Sequence, residues 1–588
     1  MEQQRRNRIA QWVFDTRPIL GRFHLWLEDV EEHEMQGFSA DGSFVGHSLR
    51  RSFAMAAAVT ALGTRLFGRF GEGQGLDKSG LNRVKKDADA VSAYVMSESL
   101  WYLTRRLPEN HAVMVCLGEG LMPKGGETPE MGSNPLLGFG RIYARPEVAK
   151  FLEQRVHRLI NANDYSWDDF WAETQEAGIS IWGAAIDTLE NTSRFAKGKT
   201  TGPMTVLHLY DQPLVVATPY EGYFGNLILP RTVADKAAED SILLTYRTPR
   251  ETVMKAILAA YPDLAPERVH VWTLGGSSRE RRLGGLWDQW RALGAHVMES
   301  DWRLPGGGEI FNDSGTYAPM FSVGLHRDDE GFEHLVLCDG YAASAEAIQA
   351  AGLDPVLDVQ TSLSLFSSAF RLPCESERNT MRLDPEASEF ADQLAAVAGE
   401  EVASDTVEQY RESIRSAQEA GLPVDRADLT IDDLFPRKRW RCLTLDGFIQ
   451  PDPYSGAAGV EEVGERTYRV TVRVASEAGL KTVTLTLRLE ESLEESRLVF
   501  SPLLDRFHAG QDFRSRAVKV SDSGRLRNEL QTLCSGGLEY LDENRMRLHL
   551  DRIDDAVLSA PKKHLIREVL GWYQQHHPIW FHWLEIAE

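Results

Sequence analysis

Four acidic groups in this sequence stand at the downstream ends of apolar runs, where carboxylates can bind hard cations or move protons. They are Glu119 in Gly118-Glu119-Gly120, the segment Asp187-Thr188-Leu189-Glu190-Asn191-Thr192, Glu299-Ser300-Asp301, and Cys338-Asp339-Gly340. α/β proteins usually place their sites at strand ends. Asp187 and Glu190 are three apart, a spacing that on a helix-start turn directs both carboxylates to one side. Hard oxygen ligands suit Mg2+ or Mn2+ rather than zinc. Two such ions can clamp a phosphate and polarise an attacking water. The alternative for Asp187 is a cap on the following helix. Gly275-Gly276-Ser277-Ser278-Arg279 is a second kind of candidate. Backbone amides at a helix start attract anions, and Arg279 adds a bidentate fork. The segment lacks GxGxxG spacing and a Walker lysine, and a plain tight turn is the alternative.

The elements that must position these residues can be read from hydrophobic periodicity. Residues 112–117 (AVMVCL) form a buried-type strand ahead of Glu119, and 179–186 a strand ahead of Asp187. Residues 205–209 and 214–217 read as a strand pair, and 225–229 as a short strand. A β-α-β unit follows: strand 269–274, glycine turn, helix 279–293, strand 296–299. Strand 335–338 then leads through Asp339 into a helix at 342–351. Helices are also expected at 50–67, 85–107, 147–160, 167–177 and 250–260. Strands alternating with helices argue for an α/β fold. After about residue 373 the character changes: 386–420 is charged and helical, and 467–474 and 481–489 alternate as an antiparallel pair.

The chain has 588 residues, 43% apolar and 26% charged, and carries a net charge of −23. That composition excludes wholesale disorder. The charge disfavours nucleic acid, and the densest basic cluster is only Arg437-Lys438-Arg439. No apolar run is long enough to span a bilayer and the N-terminus lacks a secretory core, so the expectation is a cytoplasmic protein without membrane contact. The five cysteines, Cys116, Cys338, Cys374, Cys442 and Cys534, form no CxxC and read as reduced core residues. His111, His208, His270, His296 and His334 flank strands without zinc spacing and read as structural.

The order of several motifs resembles a known family. Lys85-Lys86-Asp87-Ala88-Asp89 matches a K-x-x-A-D helix, and VCLGEG at 115–120 matches an apolar strand ending G-E-G-E. AIDTLENT at 185–192 matches the metal signature D-P-[IL]-E-G-T. Downstream, Tyr223 precedes an apolar run, and 269–297 follows a strand, Arg-bearing helix and L-G-x-x-V pattern. Over about residues 80–350 the chain is similar to the class II fructose-1,6-bisphosphatases, including the fructose/sedoheptulose bisphosphatase branch, of the lithium-sensitive, metal-dependent sugar phosphatases. The resemblance implies a layered α-β-α-β-α fold and Mg2+ or Mn2+ held by Asp89, Glu119, Asp187 and Glu190. It implies that Thr192 orients the attacking water, that Tyr223, Arg279, Asp301 and Lys86 contact a phosphorylated sugar, and that the protein is a homo-oligomer. Thr188, Asn191 and Leu121 replace the family's signature proline, glycine and second glutamate. A late glutamate ligand falls on Ala343 by strict spacing, or on Glu346 if the turn is longer.

The expected function is hydrolysis of a phosphomonoester of a sugar (bis)phosphate resembling fructose 1,6-bisphosphate. The alternative is a catalytically altered relative that binds a phosphorylated metabolite or partner as a regulator or scaffold. The expected organisation is an N-terminal helical segment at 1–70, the sugar-phosphatase-like α/β domain at 71–375, and a C-terminal α+β appendage at 376–588.

Overall fold

The computed structural model describes residues 30–31, 47–104, 107–119, 137, 140–161, 164–215, 223–300, 302–305, 307–367, 371–419, 428–435, 437, 439–488, 535–542, 545–556, 560, 563, 567 and 584–587. Helices and strands are mixed, as an α/β reading requires, and the strands fall into two large sheets and one small one. The first large sheet runs in the order β1 (Val30–Glu31), β16 (Gly479–Arg488), β15 (Thr467–Ser476), β13 (Cys442–Phe448), β5 (Met204–Tyr210), β4 (Ser180–Glu190), β2 (His111–Glu119) and β3 (Ile142–Ala144). A short strand, β14 (Glu461–Gly464), pairs with β15 off this path. The second runs β12 (Asp428–Leu429), β11 (Val359–Leu365), β6 (Tyr223–Pro230), β10 (Glu333–Ala343), β7 (Val269–Trp272) and β8 (His296–Val297), with β9 (Gly324–Arg327) on β10. Among the described residues no helix is long and apolar enough to cross a membrane.

Two long helices, α1 (His47–Phe67) and α2 (Lys78–Leu103), pack on each other and against the first sheet. The alanine-rich stretch of α1 makes close approach possible. Ala54, Ala56, Ala57, Ala58 and Ala61 are buried, and a Cβ on Gly447 of β13 would lie 2.5 Å from the Ala57 carbonyl oxygen. A third helix, Ser344–Gly352, is buried along its whole length and packs on strands of both sheets. Its composition, SAEAIQAAG, supplies the small residues that position demands. Helices Arg231–Glu239 and Glu280–Ala292 pack on strands of the second sheet.

The expected division at residue 375 does not follow the strand pairing. Residues 442–448, placed in the appendage, lie between β5 and β15 inside the first sheet, with Leu445 opposite Leu207 and Val474. The sheet thus takes strands from both sides of that boundary, and the N-terminal α1 shares its core cluster. The strand expected at 214–217 is also absent over Leu214 and Val215, and β5 pairs with β4 and β13 instead. Residues 1–29 and 32–46 of the expected N-terminal segment, and Cys534, lie outside the described residues. The other four cysteines are buried, and burial pushes the Cys116 and Cys442 thiols up to about 12.

Candidate functional site

Strands β2 and β4 are parallel neighbours, so their downstream ends lie side by side, and Glu119 is the register partner of Asp187. The glycine before Glu119 is sterically required, because a Cβ at Gly118 would lie 2.0 Å from the Leu137 carbonyl oxygen. Asp187 and Glu190 both belong to β4 rather than to a helix start. Residues three apart on a regular strand face opposite sides. Here the register with β5 shifts between Asp187 and Glu190, and that irregularity breaks the alternation. Both side chains are buried. Asp187 Oδ1 accepts the Leu189 amide at 3.0 Å, a local turn rather than a cap on the next helix.

Asn191, which stands where the signature has glycine, adopts φ 65° and ψ 40°. The left-handed region favours glycine, and asparagine is among the few other residues that enter it readily. Asn191 therefore makes a left-handed turn of the kind that glycine also adopts. Thr192 opens the short helix Thr192–Ala196, and its Oγ1 lies 3.0 Å from the Leu189 carbonyl and 3.3 Å from Asp89 Oδ1. Asp89 comes from α2, which is clamped to the strand end by Ser92 Oγ and Thr188 Oγ1, 2.7 Å apart. The structure thus joins Thr192 to Asp89 and places Asp187 and Glu190 at the end of the strand beside the one that carries Glu119. The side chain of Glu119 lies outside the described residues.

Glu346 joins this group from the buried helix. Burial, then the nearby Asp187 carboxylate, push its carboxyl up to about 8. It accepts the Tyr317 amide at 3.0 Å and packs so tightly on Gly315 that a Cβ there would meet Glu346 Oε1 at 1.8 Å. Glu346 is the position named by the longer-turn alternative, and Ala343, named by strict spacing, ends β10. Among the described residues no three His, Cys, Asp or Glu side chains are grouped to hold a metal ion. In kind, the donors fit a hard divalent cation: they are carboxylates, and the charge of Asp187 acts on the buried Glu346 carboxyl. Beside them Arg194, on the Thr192 helix, is buried, paired with Asp313 at 3.0 Å and laid over the Phe311 ring at 3.7 Å.

A second group forms in the other sheet. Tyr223 starts β6 opposite Ala343, the residue that precedes the helix carrying Glu346. Its ring packs edge-on to Tyr341 with centroids 5.9 Å apart. The Tyr341 hydroxyl in turn feels the charges of Arg279 and Arg282 and is hydrogen-bonded to Arg282. Tyr223 and Arg279 are thus linked through Tyr341, which sequence reasoning passed over, as it did Arg282. Arg279 also donates to the Gly275 carbonyl at 2.9 Å, tying down the glycine turn. Lys86 is exposed on α2, one turn from Asp89. Asp301 lies outside the described residues, and Glu299 is exposed.

Asp339 leaves the list of candidates. It sits within β10, not at a helix start, because the strand runs on to Ala343. Its carboxylate accepts two bonds from Arg250, at 2.6 and 2.7 Å, and one from Trp290 at 2.6 Å. The group is a fully paired structural ion. No family model matches this chain, and no curated protein matches it.

Proposed function

We propose that this protein is a metal-dependent phosphatase that hydrolyses a phosphomonoester of a sugar (bis)phosphate resembling fructose 1,6-bisphosphate. The observation that carries the reading is the contact of Thr192 Oγ1 with Asp89 Oδ1, at 3.3 Å across 103 residues of chain. It joins the helix and strand-end motifs that the family resemblance names. We read the first sheet, the buried helix and the second sheet, with helices on their outer sides, as that family's α-β-α-β-α stack.

On this reading Asp89, Glu119, Asp187, Glu190 and Glu346 would hold Mg2+ or Mn2+. The bound ions would neutralise phosphate charge and acidify water. The Thr192 hydroxyl has one proton, shared between the Leu189 carbonyl and Asp89. Its lone pairs are left to accept a hydrogen bond from the attacking water and so to orient it. Tyr223, Arg279, Lys86 and Asp301 would hold the sugar phosphate, with Tyr341 and Arg282 fixing the first two. The same reading implies a homo-oligomer working in the cytoplasm.

The test is phosphate release from a panel of sugar mono- and bisphosphates with Mg2+ or Mn2+, with Li+ as inhibitor. Metal-dependent, lithium-sensitive release that Asp187→Asn abolishes supports the assignment. Undiminished release in that variant refutes it. Silence across the panel, with tight binding of a sugar phosphate, favours the second reading, a binding protein of the same fold.

A further inference from the structure

Three histidines that the sequence leaves scattered meet at the edge of the second sheet. His270 on β7 lies between His296 on β8 and His334 on β10. Its Nδ1 is 2.9 Å from His296 Nδ1, and its Nε2 is 2.8 Å from His334 Nδ1. His334 Nε2 lies 3.1 Å from Asp328 Oδ2. The carboxylate fixes every tautomer by elimination. His334 must donate from Nε2 to Asp328, so its Nδ1 accepts from His270 Nε2–H, and His270 Nδ1 accepts from His296 Nδ1–H. Three neutral imidazoles then form one directed hydrogen-bond chain whose outer end is His296 Nε2.

The proton count of such a chain is limited. A first added proton can sit on His296 Nε2 and leaves both N–H···N contacts intact. A second must place two protons in one of the contacts at 2.8 or 2.9 Å, which breaks it. Among the described residues, the other charged and titratable groups facing the chain are His326 on β9, Asp328 beyond it, and Glu299 after β8. The Arg327–Glu333 pair lies on the same hairpin. Among the described residues one carboxylate, Asp328, is in hydrogen-bond contact with the chain, against two added protons.

Trp302 lies over this chain, with its ring 4.6 Å from His270 and 5.3 Å from His296. The Trp302 carbonyl accepts the Ile310 amide at 3.1 Å. The next residue, Phe311, lies under Arg194, and Asp313 binds it. The histidine chain and the helix that begins with Thr192 are therefore two anchors of one hairpin.

We propose that the imidazole chain is an acid-operated latch that holds the Trp302 hairpin, and through it Arg194, only while it carries at most one extra proton. Burial, then the neighbouring His296, His334 and His326, push the His270 imidazole down to about 3 from 6.5. The neutral chain therefore stabilises the fold fully above pH 6.5 and loses that contribution as pH falls towards 3. This does not depend on the phosphatase reading, because the readout is the tryptophan itself.

The experiment follows tryptophan emission of the full chain from about pH 8 to about pH 3, the window over which the contribution is lost. Subtracting the Trp302→Phe spectrum isolates Trp302. The expected result is a red shift of that difference below about pH 6.5, steeper than a single proton allows. His296→Phe, which removes the outer ring, and His334→Gln, which removes the Asp328 anchor, should each abolish the steep step. A difference spectrum flat over this range overturns the latch, as does a step unchanged in both variants.

Discussion

Replacing Asp339 by Asn separates a structural carboxylate from the catalytic candidates, and the cost can be worked from the geometry. Asp339 and Arg250 both have side chains at 0% exposure, so no solvent screens their interaction. The carboxylate accepts from Arg250 Nε at 2.6 Å, Arg250 Nη2 at 2.7 Å and Trp290 Nε1 at 2.6 Å. Asn fills the same volume, so neither a cavity nor a clash enters. Its single oxygen can satisfy part of this set, and its amide places a donor against a guanidinium. Two charge-assisted bonds at ~1.5–3 kcal/mol each are lost. That agrees with the ~3–5 kcal/mol for removing one partner of a buried pair. Urea unfolding followed by far-UV circular dichroism should register this loss, while phosphate release per folded molecule stays unchanged. The double replacement Arg250→Met with Asp339→Leu should recover most of the stability, because it removes both charges and fills the space. A single variant that loses less than ~1 kcal/mol, the range of a solvated pair, would refute this account.

Other outcomes follow from the same geometry. Asp187→Asn should abolish metal-dependent turnover and leave the melting temperature nearly unchanged, as differential scanning fluorimetry with the release assay would read. Asn191 at φ 65° makes Asn191→Gly nearly neutral and Asn191→Ala costly by ~1–2 kcal/mol, measured by chemical denaturation. Burial pushes the Asp354 carboxyl up to about 7 from 3.8 while it accepts two bonds from Thr361. Its contribution to stability is therefore full below pH 3.8 and lost as pH rises to about 7, on the order of 4 kcal/mol. Asp354→Asn, a mimic of the neutral acid, should flatten that part of the stability–pH curve. Truncation after residue 375 should give no cooperatively folded product by urea titration, because it strips β13 from the middle of a sheet.

What could be read from the sequence was the local part. The ends of β2 and β4 carry their carboxylates after continuous apolar runs, and the β-α-β unit at 269–297 has unambiguous punctuation. The hairpin of β15 and β16 alternates clearly enough to be seen. Contacts distant in sequence were not legible. Asp339 looked like a strand-end candidate because its partner Arg250 is 89 residues away. Glu346 was ambiguous because spacing alone cannot fix the length of a turn. The three histidines looked like separate structural residues because strand order in the second sheet, not sequence, makes them neighbours.

The strands beyond residue 375 do more than extend the first sheet. Asp446 on β13 accepts the Tyr317 hydroxyl at 2.8 Å and Arg473 Nε of β15 at 2.8 Å, all three side chains being buried. The amide of that same Tyr317 is a donor to Glu346. A buried polar network of this kind is rigid when satisfied and costly when broken. It ties the C-terminal strands to the carboxylate facing Asp187, so the orientation of Glu346 depends on residues that sequence character alone assigns to another domain. The candidate site is therefore assembled by the whole first sheet together with the buried helix, and its chemistry cannot be separated from the segment that looks like an appendage.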